Sequence, residues 1–285
     1  MNRVVANGKP FEVEPGTTVA DFVRARDLDP RFVVVERNGE PLERARYAEV
    51  TLEEGDRLEL VRAVAGGSHG GGLRERLERS RLYVVTDARE GRGDLEDFLE
   101  AILAAGVDIV QLREKEAEAG DLLRWAPVFR AAADRHGSLF ILNDRPDVAL
   151  AAAADGVHVG QNDLPVAAVR RVLGPEPLIG LSTHRAAEWD AAPPEADHLT
   201  AGPVWETPTK PGRPAAGLGH VRHAAASATR PWFAIGGIDP TNVGEVVEAG
   251  ATRIVVVRAV TEAADPAAAV RLLLDRLPEA DRPPW

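Results

Sequence analysis

Along the first sixty residues the apolar positions change period several times. "NRVVANGKPFEVEPG" places two short β-prone stretches on either side of Asn7-Gly8, a dipeptide that accepts positive φ angles, and predicts a hairpin. In "TTVADFVRARDLD", Val19, Phe22 and Val23 recur at helical spacing behind Thr18, a candidate N-cap with Asp21 three residues on. One amphipathic helix follows from that pattern. "RFVVVERNGE" then reads as a strand ending in a second Asn-Gly turn, and "DRLELVRAV" alternates Leu58 and Leu60 with charge, as a half-buried strand should. From Arg81 onward the pattern is different: short β-branched runs alternate with Ala-rich helical stretches. Eight strands are predicted, in "RLYVVTD", "VDIVQLREK", "SLFILND", "DGVHVGQND", "PLIGLSTH", "DHLTAGPV", "WFAIGG" and "TRIVVVRAV", each followed by a helical segment. Eight βα units in a stretch of this length predict an α/β (β/α)8 TIM barrel, with a doubly wound open sheet as the alternative.

Between the two patterns stands "VRAVAGGSHGGGLRER". Its glycines read as a flexible linker, which divides the chain into a small α+β domain at 1–65, a Gly-rich linker at 66–73 and a barrel domain at 74–285. A length of 285 residues accommodates both. The net charge of -11 disfavours a nucleic-acid partner, because no local basic patch offsets the repulsion from phosphates. Having no cysteine, the chain has no disulfide framework, thiolate nucleophile or thiolate metal site. The N-terminus "MNRVVANGKP" lacks an apolar core of signal-peptide length, and no run approaches the ~20 apolar residues of a membrane span. A cytoplasmic protein is the expectation.

In a barrel the chemistry belongs at the C-terminal ends of the strands. The second strand ends in Gln111, Arg113 and Lys115, at alternate positions and so on one face. The third ends in Asn143-Asp144, the fourth leads to Gln161-Asn162-Asp163, and the fifth ends in Ser182 and His184. The sixth is followed by "WETPTKPGRP", the seventh by Gly236-Gly237, and the eighth by Val257-Arg258. Two carboxylates, Asp144 and Asp163, near Arg113, Lys115 and Lys210 suit Mg²⁺ with a bound polyphosphate. The glycines and Val257-Arg258 correspond to the usual barrel phosphate site, which suggests a second phosphate. Each feature also has a plainer reading. Asn143-Asp144 before Arg145-Pro146 would make an ordinary helix cap, Thr207 and Thr209 would be turn residues, and His184 a structural histidine. What sets the functional reading apart is that all of them fall at one end of successive strands.

"QLREK", "ILNDR", "GVHVGQND", "GLSTH", "GPVWETPTK" and "AIGGI" stand in the order found in thiamine phosphate synthases, over nearly all of residues 81–260, and the large domain resembles that family. The resemblance implies that Gln111, Arg113, Lys115, Asn143, Ser182 and Lys210 bind a pyrimidine diphosphate and that Asp144 and Asp163 hold Mg²⁺. It implies that Thr207, Thr209, Gly237, Val257 and Arg258 receive the phosphate of a thiazole phosphate. The implied reaction displaces diphosphate from 4-amino-2-methyl-5-hydroxymethylpyrimidine diphosphate by the thiazole nitrogen, with no protein nucleophile. The first 67 residues, ending in Gly66-Gly67, resemble the ubiquitin-like β-grasp sulfur carrier of thiazole synthesis, whose free C-terminal glycine carries the sulfur. Thiazole synthase and a carrier-adenylating enzyme are the partners this implies. Here Ser68 follows Gly67, so an intact chain offers no carboxylate to activate and carrier chemistry requires release after Gly67.

Two other functions fit parts of the pattern. A thiazole tautomerase-like barrel would use His184 as its base, although it would have no diphosphate for the cationic set to hold. The small domain would alternatively be a docking module that never carries sulfur. A homo-oligomer is compatible with either.

Overall fold

The computed structural model describes residues 1–26, 33–43, 46–62, 72–207 and 215–278. Two compact units are present, Met1–Ala65 and Gly66–Trp285.

The small unit is a five-stranded sheet in the order β2-β1-β5-β3-β4, built from β1 (Asn2–Ala6), β2 (Lys9–Val13), β3 (Val33–Arg37), β4 (Glu40–Leu42) and β5 (Arg57–Arg62), with α1 at Val19–Arg24. Strands β1 and β2 form the antiparallel hairpin expected around Asn7-Gly8, and β1 runs parallel to β5 beside it. Both Asn7 (φ 47) and Asn38 (φ 56) take left-handed backbone, as tight Asn-Gly turns require. Thr18 and Asp21 close a capping box at the start of α1, whose Val19, Phe22 and Val23 are buried with Val4, Val35, Leu52 and Leu58. Tyr47 ties this core to the sheet: its hydroxyl accepts from Val35 N at 2.8 Å and donates to Val33 O at 3.1 Å. A hairpin, a helix and a returning strand paired parallel to the first make up the β-grasp topology.

In the large unit, eight parallel strands close on themselves: β6 (Leu82–Thr86), β7 (Ile109–Leu112), β8 (Leu139–Asn143), β9 (Gly156–Val159), β10 (Leu178–Thr183), β11 (His198–Ala201), β12 (Trp232–Ile235) and β13 (Ile254–Val256), which pairs back to β6. Closure excludes the open doubly wound sheet. Alternation sorts the side chains. Leu82, Val84, Val110, Phe140, Val157 and Leu199 face the surrounding helices, while Tyr83, Val85, Ile109, Leu139, Ile141, Leu178, Phe233 and Val255 fill the interior.

A helix not expected from the sequence, α2 (Leu73–Arg79), precedes the first barrel strand. Its Leu77, buried to 1% exposure, packs with the interior cluster. Arg74 donates to Asp197 Oδ1 (2.9 Å), Arg76 to Gly137 O (3.0 Å), and Arg253 to Ser80 O (3.0 Å) and Glu78 O (2.7 Å). All these partners flank the beginnings of strands, so α2 lies across the N-terminal end of the barrel. Among the described residues no helix is long and apolar enough to cross a membrane.

Candidate active site

Two cavities open at the C-terminal ends of the barrel strands. One, of about 350 Å³, is lined by Gln111, Arg113, Lys115, Asn143, Asp144, Asp163 and Ser182, among others. The other, of about 400 Å³, is lined by Thr207, Gly236, Gly237, Val257, Arg258 and Glu262. Ser182, His184, Thr200, Ile235, Val255 and Val257 border both, so the cavities share a wall.

The strands dictate this clustering. Gln111 is the one member of its trio inside β7; Arg113 and Lys115 lie beyond it, but Arg113 N still donates to Thr86 O at 2.9 Å and keeps the alternation running. Gln111 donates its amide to the hydroxyl of Tyr83, both in the barrel interior. Burial pushes the Tyr83 phenol well above its ordinary range, so it stays protonated. Asn143 ends β8, and Asp144 follows with φ at 60, a left-handed backbone, its N–H donating to His158 O at 2.9 Å. Arg145 occupies the N-cap of α3 (Pro146–Ala151) and makes no side-chain cap bond. The capping reading of Asn143-Asp144 therefore fails: the backbone twist turns the Asp144 carboxylate to the cavity, at a conformational cost of about 1 kcal/mol. A residue held in that region without a capping role is a functional signal.

Asp163 comes from the loop after β9, and its Oδ2 accepts from Gly160 N at 2.8 Å. Its carboxyl interacts with that of Asp144, and Lys115 Nζ approaches Asp144 Oδ2 to 3.4 Å. Burial and the adjacent Asp163 charge together raise the Asp144 pKa, with partial relief from Lys115. Two crowded carboxylates facing a cavity, with one cation to offset them, suit a divalent ion bound through oxygen. Among the described residues no three His, Cys, Asp or Glu side chains converge as a ligand group, and a two-carboxylate set fits Mg²⁺, which keeps waters and phosphate oxygens as its other ligands.

In the larger cavity, Gly236 (φ 108) and Gly237 (φ 69) follow β12. A Cβ on Gly236 would stand 2.4 Å from Pro203 Cα, so only glycine lets this turn pack against the loop after β11. Arg258 begins the short α4 (Arg258–Thr261), and its Nε donates to Glu262 Oε2 at 2.9 Å; both residues line the cavity. His184 is paired with Glu188, which accepts from His184 N at 2.9 Å and lies 3.0 Å from Nδ1. Thr209 and Lys210 fall outside the described residues, as do Gly66 and Gly67. Every other residue expected at the site borders one of the two cavities.

Sequence reasoning overlooked Tyr83, His158, His198 and Thr200. All are buried, and Thr200 lies on the wall common to both cavities. The alternation in "RLYVVTD", "DGVHVGQND" and "DHLTAGPV" held the signal: polar side chains at inward positions of barrel strands.

Comparison with known proteins agrees with this architecture. Residues 82–260 match the family described as thiamine monophosphate synthase, and residues 4–67 match the ThiS family. The thiamine-phosphate synthase of Thermobifida fusca is 58% identical over 208 residues, covering 72% of this chain and 95% of that protein. That of Streptomyces avermitilis is 56% identical over 210 residues, covering 73% and 98%. Among solved structures, the thiamine phosphate pyrophosphorylase of Pyrococcus furiosus superposes with a TM-score of 0.63 at 32% identity, covering 70% of this chain and 96% of that one. A 3-hexulose-6-phosphate synthase, at 21% identity and a TM-score of 0.54, shares the barrel fold. Preceded by a ThiS-type domain, the chain belongs to the thiamine monophosphate synthase family.

Proposed function

We propose that the barrel joins a pyrimidine diphosphate to a thiazole phosphate, releasing diphosphate and forming thiamine phosphate. The observation carrying this reading is the pair of cavities with a common wall, one holding carboxylates and cations and the other a glycine turn and Arg258. Two phosphorylated ligands side by side need such an arrangement. In the smaller cavity Gln111 and Asn143 face the pyrimidine, and Arg113, Lys115 and Ser182 take the diphosphate; Lys210 joins them by the family resemblance alone. Asp144 and Asp163 hold Mg²⁺, which when bound neutralises charge on the leaving diphosphate. Gly237, Val257, Arg258, Thr207 and Thr209 receive the thiazole phosphate.

In the reaction the bond between the pyrimidine methylene and the diphosphate oxygen breaks, and diphosphate departs with the electron pair. The thiazole nitrogen lone pair then forms the new C–N bond, leaving the thiazolium cation. No protein atom bonds to either substrate. The chain's task is to hold the two reactants in register and stabilise charge on the leaving group. The experiment is direct. The purified chain with Mg²⁺ and both substrates should release diphosphate and thiamine phosphate in equal amounts, and omission of either substrate should abolish both; diphosphate released without the thiazole partner would mark the barrel as a hydrolase.

A second reading concerns the small domain. The ThiS match runs to residue 67, the second of the two glycines. That endpoint supports a carrier whose chemistry begins only after release at Gly67. Intact masses from native cells should then include a fragment ending at Gly67, with a species heavier by exchange of oxygen for sulfur. A single full-length mass under thiamine starvation would instead make this domain a docking module.

A further inference from the structure

Deep in the barrel, below the wall that the cavities share, two imidazoles meet. His158 projects inward from β9 and His198 from β11, on either side of Gly180 in β10. A Cβ at position 180 would stand 2.3 Å from His158 Nδ1 and 2.4 Å from His198 Nε2, so the absence of a side chain there creates the room for both rings. His158 Nε2 lies 2.9 Å from Ser182 Oγ, and His158 Nδ1 lies 3.4 Å from His198 Nε2. His198 packs edge-on against Tyr83 and Phe233, is 0% exposed, and its Nδ1 has no hydrogen-bond partner among the described residues.

These contacts limit where the protons sit. A neutral imidazole carries one N–H and one lone pair. If His198 kept its proton on Nδ1, a buried donor would be stranded, and orphaned buried N–H groups are rarer than under-used acceptors. With the proton on Nε2, His198 donates to His158 Nδ1. The proton of His158 then sits on Nε2 and is donated to Ser182 Oγ. Burial lowers the His198 pKa to about 4, which rules out the cation with both nitrogens protonated near neutral pH. The Ser182 hydroxyl accepts from inside the barrel, and its own proton is left to point outward. Gln161 Nε2 donates to Ser182 O at 2.7 Å, fixing the backbone of the same residue.

We propose that His198 and His158 form a hydrogen-bond chain of fixed polarity that makes Ser182 a donor toward the cavity, and so selects an anionic oxygen as its ligand there. His198, which borders neither cavity, is a positioning residue; His158 borders the smaller cavity and acts here through Ser182. The opposite polarity would turn Ser182 into an acceptor and suit an amino group instead. Identification of that anion as the diphosphate rests on the function proposed above; the polarity does not.

The experiment has two arms. Nitrogen-15 NMR of the full chain labelled at histidine, with signals assigned through His158→Gln and His198→Phe, should show both rings as neutral Nε2–H tautomers at pH 7. A protonated Nδ1 on either ring overturns the proposal whatever the enzyme catalyses. Kinetically, His198→Phe should raise KM for the pyrimidine diphosphate about tenfold and leave KM for the thiazole phosphate unchanged. In a Ser182→Ala background the same change should add no further effect. An additive loss, or equal shifts for both substrates, would mean that His198 acts through packing alone. If the wild-type chain shows no synthase activity, the function proposed above fails while the NMR arm still decides the polarity.

Discussion

Replacing Asp144 by Asn should lower turnover by about a thousandfold, roughly 4 kcal/mol of transition-state stabilisation, while the fold becomes no less stable. The stability half of that expectation follows from the sign of its pKa shift. Burial and the neighbouring Asp163 charge raise the folded-state pKa above the unfolded value. Protonation at this site therefore favours the folded chain: the contribution is full below the unfolded pKa and is lost as pH rises through the folded one. At neutral pH the carboxylate is a burden that Asn removes, so the thermal midpoint of the variant should equal or exceed that of wild type. Millimolar Mg²⁺ should raise the wild-type midpoint and leave the variant's unmoved. A variant with normal turnover, or one that loses stability at pH 7, would contradict the placement of this residue at the metal. A gain in stability coupled to a loss of rate is the mark of a group kept for function.

The second large effect is acid sensitivity of the barrel. His198 has its pKa lowered from 6.5 to about 4 by complete burial. Between those values the unfolded chain binds a proton that the folded chain refuses. Stability is thus full above pH 6.5 and falls as pH drops toward 4, by about 3 kcal/mol at the limit for this group. His198→Phe removes the titration while keeping an aromatic ring against Tyr83 and Phe233. All five tryptophans lie in the large unit, so their fluorescence follows its unfolding alone. Urea midpoints by that signal should drop much less in the variant than in wild type between pH 7 and pH 4. Parallel losses would show that His198 titrates normally and is not held neutral. Carboxylate titration elsewhere is common to both proteins and cancels in the comparison.

Much of this architecture is legible without coordinates because strand alternation and turn chemistry are local. Asn7-Gly8 and Asn38-Gly39 mark their hairpins by backbone preference alone, and Thr18 with Asp21 closes the predicted capping box. The motif-bearing strand ends could be grouped because a barrel directs all of them to one face. What escaped notice depends on register between strands. Alternation says that Tyr83, His158 and His198 point inward, but only the barrel stagger brings the two imidazoles past Gly180 and onto Ser182. For Asp144 composition leaves two readings open, because Asn-Asp before Arg-Pro is also good capping chemistry, and the left-handed twist that separates them is a backbone choice that composition does not reveal. Helix α2 is not legible in the sequence because "LRERLER" is only seven residues long, follows a glycine run and carries just two apolar positions, Leu73 and Leu77, too few to set a helical period.

That helix has an evolutionary consequence. The barrel receives its incoming chain through α2, whose Arg74 and Arg76 bond to residues at the N-terminal ends of the strands, the pole opposite the cavities. Splicing another coding segment in front of Gly72 alters no residue that lines either cavity, and the first barrel contacts of α2 begin only at Leu73 and Arg74. A change of sequence ahead of Gly72 therefore leaves every cavity-lining side chain unaltered, and selection acts on the substrate pole and on the entering segment through separate residues.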